Sequence, residues 1–127
     1  MFSFLRSLRL RLFIAKVQAE LMAQCGDQPL VNKICQYPEI VADLDVIRQT
    51  AYYRKDSNAA FLSSCYVLGA ALDVYYFSPA DKKKCAALLA QRLAKARSDP
   101  HFSMRHFQIF GDLEDKLSEH LGDQTTD

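Results

Sequence analysis

The residues in this chain of 127 best suited to chemistry are few: one aspartate in an apolar stretch, three histidines, four cysteines and a lysine triplet. Asp73 sits in the apolar run from Ala59 to Phe77. A carboxylate buried there is costly unless paired or protonated, and functional sites are often built from such groups. The plainer expectation is that Asp73 faces solvent or pairs with a base such as Arg48. His101, His106 and His120 contain no H-x-x-x-H pair. His106 and His120 share a helix face but lie about 21 Å apart along the axis, too far to chelate one ion. A metal site would need the fold to gather His101 and His106 beside Cys85. Cys25, Cys35, Cys65 and Cys85 include no C-x-x-C, so neither a zinc knuckle nor a redox pair is indicated. Ser64-Cys65 with a distant histidine is not a nucleophile motif, and no G-x-S-x-G, P-loop or G-x-G-x-x-G occurs. The expectation is a protein that is not an enzyme, with no catalytic residues, no cofactor and no metal.

Lys82, Lys83 and Lys84 are candidate anion contacts. With Arg92, Lys95 and Arg97 they make residues 80–97 strongly basic, against Asp81 alone. Such groups hold phosphates in a salt-sensitive way. Three adjacent lysines, however, spread around most of a helix rather than along one face. No helix-turn-helix or other reading module is evident, and the net charge of only +1 provides no global field. A solvated helix face is the simpler reading, and nucleic acid is the weaker partner class.

Helices must position these groups. Half the residues are hydrophobic and 24% are charged, a globular balance, while four Gly and four Pro leave little for the turns of an all-β fold. The apolar spacing predicts helices over about 2–24, 29–36, 38–55, 59–77, 79–97 and 103–121, and no segment alternates like a strand. Gly26 suits a C-cap, Asp27 and Ser78 suit N-caps, and Pro29, Pro38 and Pro79 suit first turns. Ile40, Leu44, Ile47 and Ala51 make one core stripe. Cys85, Leu89 and Leu93, widened by Leu88 and Ala96, make another. Phe107, Phe110, Leu117 and Leu121 make a third, with Gly111 a point where a kink could form and Gly122 a stop. The expected fold is all-α: a compact bundle of five to six helices with residues 59–77 as the central buried helix. One domain over 1–122 is expected, with 123–127 a frayed tail. The run 59–77 is diluted by Asp73, Ser63, Ser64 and three tyrosines, so a core helix is expected rather than a membrane span. Cys65 and Cys85 in apolar patterns read as free thiols, hence a reducing, cytoplasmic compartment. The six tyrosines fall partly in adjacent pairs, Tyr52-Tyr53 and Tyr75-Tyr76, at the ends of two helices, which argues against a single aromatic cage.

The first helix carries two apolar stripes. One is Phe4, Leu8, Leu12, Ala15, Ala19 and Met22; the other is Leu10, Ile14, Val17 and Leu21. An ordinary surface helix has one, so this helix has two neighbours. The short apolar run after Arg6, Arg9 and Arg11 is interrupted by Lys16 and Gln18, and no cleavage site of the signal-peptide kind follows it. Residues 100–127 are acidic through Asp112, Glu114, Asp115, Glu119, Asp123 and Asp127.

These features favour a small helical protein-interaction module (an adaptor, chaperone, inhibitor or immunity-type protein) that binds a protein partner or itself through the first helix. Leu10, Ile14, Val17 and Leu21 would drive that association, and Arg6, Arg9 and Lys16 would orient it. Two other readings use the same chain differently. In one, the basic first helix, with Phe2, Phe4 and Phe13, lies on a membrane surface as a peripheral anchor; two stripes rather than one broad face count against it. In the other, residues 80–97 bind nucleic acid.

Overall fold

A computed structural model of the protein describes residues 2–49, 59–74, 77–99 and 107–125. The fold is all-α. The helices are α1 (Phe2–Cys25), α2 (Gln28–Gln36), α3 (Pro38–Gln49), α4 (Ala59–Leu72), α5 (Pro79–Arg97) and α6 (Phe107–Thr125), and no strand occurs among the described residues. Contacts divide the chain into two compact units, Met1–Val67 and Leu68–Asp127. The boundary falls inside α4. No shift of composition marks it.

In the first unit the helix ends follow the local chemistry. Gly26 takes φ 66°, a left-handed conformation that costs a residue without Cβ nothing, and its N–H reaches the Met22 carbonyl at 3.0 Å. The next residue, Asp27, caps α2: its carboxylate accepts the Leu30 N–H at 3.2 Å, with Pro29 in the first turn. Helices α1, α2 and α3 pack against one another. Val17 and Leu21 from α1, Leu30, Val31 and Ile34 from α2, and Ile40, Leu44 and Ile47 from α3 are all buried. Full burial of each such side chain contributes roughly 1.5–3 kcal/mol. Ala51, expected to extend the α3 stripe, lies outside the described residues.

Helix α4 is buried nearly all round. Leu62, Ser63, Ser64, Cys65, Val67, Leu68 and Ala71 are at 1% exposure or less. It is shorter than the expected 59–77, ending at Leu72. Asp73 and Val74 bond three residues back, to Ala70 and Ala71, so the last turn tightens and the chain leaves the helix. That exit has to deliver Ser78 in extended conformation (ψ 156°) ahead of Pro79, a geometry helical backbone does not supply.

In the second unit Ser78 caps α5 by accepting the Asp81 N–H at 3.1 Å. Cys85, Leu89, Leu93 and Ala96 are buried, as expected of that stripe, with Ala86 buried beside them, while Leu88, expected to widen it, is half-buried. Helices α5 and α6 pack on each other, and Arg97 bridges to Glu114 at 2.6 Å. Among the α6 residues whose side chains are described, Phe110 and Leu113 are buried, Leu117 is half-buried and Leu121 is 49% exposed, so the expected stripe holds at Phe110 and is lost toward Leu121; the Phe107 side chain lies outside the described residues. Gly122 does not stop α6: its φ is not positive and the helix continues to Thr125, through part of the expected frayed tail. Gly69 on α4 is a close-approach point. A Cβ there would come within 2.6 Å of Leu113 Cδ2, so the missing side chain leaves room for that methyl group.

Candidate functional site

The feature that stands out is α1, which shows opposite characters on its two sides. Leu8 and Val17 are nine residues apart, which places them about 180° apart around a helix turning 100° per residue. The same holds for Leu12 and Leu21. Val17 and Leu21 are at 0% and 1% exposure. Leu10 and Ile14, on their side, are half-buried. On the far side Phe4 is 69% exposed, Leu12 58%, and Leu5 and Leu8 43% each. Ala15 and Ala19 continue that outer row and are exposed too.

Of the residues expected to meet a partner, the apolar four are therefore the ones α1 turns toward α2 and α3. The stripe left on the surface is the other one, Phe4–Leu8–Leu12, with Leu5 added. The two stripes have the same i+3/i+4 spacing, and only the packing of α2 and α3 breaks the tie. Charge follows the same division. Arg6 is at the edge of the inner side and spends its charge within the first unit: its Nη2 meets Asp45 Oδ2 on α3 at 2.6 Å. Arg48 adds a second bond to the same carboxylate, Nη2 to Oδ1 at 3.2 Å. The hydrogen bond from Arg6 holds the Asp45 carboxyl below its ordinary pKa; partial burial opposes this and Arg48 reinforces it. Arg9, Arg11 and Lys16 are exposed instead. At 100° per residue Arg9 and Lys16 border the outer apolar row on one side and Arg11 on the other. The first acidic residue in the chain is Glu20.

The other sequence candidates have plainer places. Asp73 is not a buried polar site. It lies in the turn just beyond α4 with its side chain 66% exposed, and it pairs with Lys116 Nζ of α6 at 2.7 Å rather than with Arg48. Ending the helix at Leu72 swings it outward. Lys83 and Lys84 are exposed and Lys82 is half-buried, so the triplet does not form one aligned face. Arg92, grouped with these lysines as a solvated charge, is 6% exposed. Its spacing could have shown this, since positions 85, 89, 92 and 96 follow one helical stripe. His101 and His106 lie outside the described residues, as do Tyr52, Tyr53, Tyr75 and Tyr76. Tyr66 donates to Asp43 Oδ2 at 3.4 Å. Burial pushes the Cys35 thiol up to about 11. Among the described residues no group of three or more His, Cys, Asp or Glu could hold a metal ion, and no helix is long and apolar enough to cross a membrane.

No protein-family model, curated protein or solved structure matches the chain.

Proposed function

We propose that this chain is a small helical interaction module that acts by docking the outer face of α1 onto another surface, and not by catalysis. The observation that carries the reading is the continuous row Phe4, Leu5, Leu8 and Leu12, exposed at 43–69% on a helix whose opposite side is buried. Single exposed leucines are ordinary on protein surfaces. Four large apolar side chains in one row on one helix, bordered by cations, are an arrangement suited to association. The helix is also held in place: Val17, Leu21 and the Arg6–Asp45 pair anchor it to its unit, so the outer row is presented without first having to order a free segment.

A photo-crosslinking amino acid tests this. Placed at Leu8 or Leu12 in the full chain and irradiated in the native cell, it should give abundant adducts, to protein or to lipid. The same group at exposed Glu39 on α3 should give few. Equal yields from the three positions, or none from Leu8 and Leu12, would refute docking through this face.

A further inference from the structure

Resting on that docking reading, we infer that the occupant of the outer face of α1 is an anionic lipid surface, on which α1 lies flat. Three observations lead there. First, the face is one apolar row with bases along both borders, the layout of a helix that beds its apolar side into the headgroup–acyl boundary while its cations meet the anionic headgroups. With Val17 and Leu21 buried and Leu10 and Ile14 half-buried on the side that meets α2 and α3, the second stripe no longer counts against this layout. Second, the charge is one-sided. Arg9, Arg11 and Lys16 are exposed, Arg6 is tied to Asp45, and no acidic residue precedes Glu20. Third, a second copy paired through the same helix fits poorly. Pairing α1 with α1 would bring Arg9, Arg11 and Lys16 of each copy into one interface with only Glu20 of each α1 to set against them, an excess of like charge that opposes association.

The row from Phe4 to Leu12 spans about 12 Å along the axis. A row so short, with three cations, gives reversible attachment; stable anchoring takes a second signal. Every base near the surface strengthens binding to an anionic leaflet by about fivefold, or about 1 kcal/mol. Three of them together correspond to about a hundredfold.

The full chain is sedimented with vesicles of phosphatidylcholine alone and of phosphatidylcholine mixed with phosphatidylglycerol. Binding is expected to the mixed vesicles, at low salt, falling as salt rises. The triple variant Arg9→Gln, Arg11→Gln, Lys16→Gln should bind about a hundredfold more weakly. Leu8→Asp with Leu12→Asp should remove binding altogether. All five positions are exposed, so circular dichroism should show unchanged helix in both variants. Absence of binding to the mixed vesicles at low salt overturns the lipid assignment, as does equal binding to both vesicle types with no effect of the triple variant. If vesicle binding fails while crosslinks from Leu8 and Leu12 still run to protein, the lipid occupant is lost and the docking face stands. If the crosslinks fail too, both are lost. Concentration-dependent self-association abolished by Leu12→Asp, with no vesicle binding, would assign the face to a second copy and overturn the lipid reading.

Discussion

The division of α1 into an inner and an outer side can be tested on stability alone by shortening one leucine on each. Leu21 is 1% exposed and packs where α1 meets α2 and α3. Leu21→Ala removes three carbons from a close-packed site, losing their transfer free energy and leaving a cavity that relaxes only in part. Buried leucines of this kind cost about 2–5 kcal/mol on truncation. Leu12 is 58% exposed. Leu12→Ala uncovers nothing, and alanine is at least as good a helix former, so the change should lie within about 0.5 kcal/mol of zero. Urea unfolding followed by the helical circular dichroism signal measures both. With a slope of about 1–3 kcal/mol per molar urea, a loss of 3 kcal/mol moves the midpoint down by about 1–3 M. Leu21→Ala should shift that far while Leu12→Ala overlays the parent curve. Equal losses from the two variants, or a larger loss from Leu12→Ala, would mean that α1 packs through its other stripe, and the docking face would be lost with it.

Three other perturbations probe the structure elsewhere. The Asp45 carboxyl is held below its ordinary value by Arg6, so its contribution is fully present above the unfolded-state value of about 4 and fades as pH falls through the lower folded-state value. Thermal melts should show Asp45→Asn less stable than the parent near neutrality and converging with it in acid; a gap that stays constant with pH refutes the pairing. Gly69 and Gly111 should respond in opposite directions. Gly111→Ala meets nothing within 4 Å on a helix and should stabilise by up to about 1 kcal/mol, whereas Gly69→Val drives into Leu113 and should cost about 1–3 kcal/mol. Similar responses from both would contradict the contact of Gly69 with the Leu113 side chain. Among the four free thiols, half-buried Cys25 should react first with a disulfide reagent, while Cys35, Cys65 and Cys85 wait for unfolding. Rapid native labelling of all four would show that the described burial is not maintained in solution.

The sequence by itself determined the helices and most of their ends. Gly26, Asp27, Ser78 and the prolines act on their own neighbours through φ, through a missing N–H or through a capping oxygen, and such effects need no tertiary partner. The core positions of α3 and α5 were legible for a related reason: one stripe of apolar spacing leaves one choice of inner face. What only the tertiary structure decided was every case of two equal choices or of a distant partner. The two stripes of α1 carry the same spacing, and α2 and α3 selected Val17 and Leu21 for the core and left Phe4, Leu8 and Leu12 outside. For Asp73 the apolar neighbours allowed a buried carboxylate as well as the plainer reading of a solvent-facing or base-paired one, and the choice depended on where α4 ends and on Lys116, 43 residues away in the chain. Arg92 looked solvated because it is charged, yet its place in the α5 stripe buried it. Local spacing fixes which residues share a face; which face meets another helix depends on contacts between residues far apart in the chain.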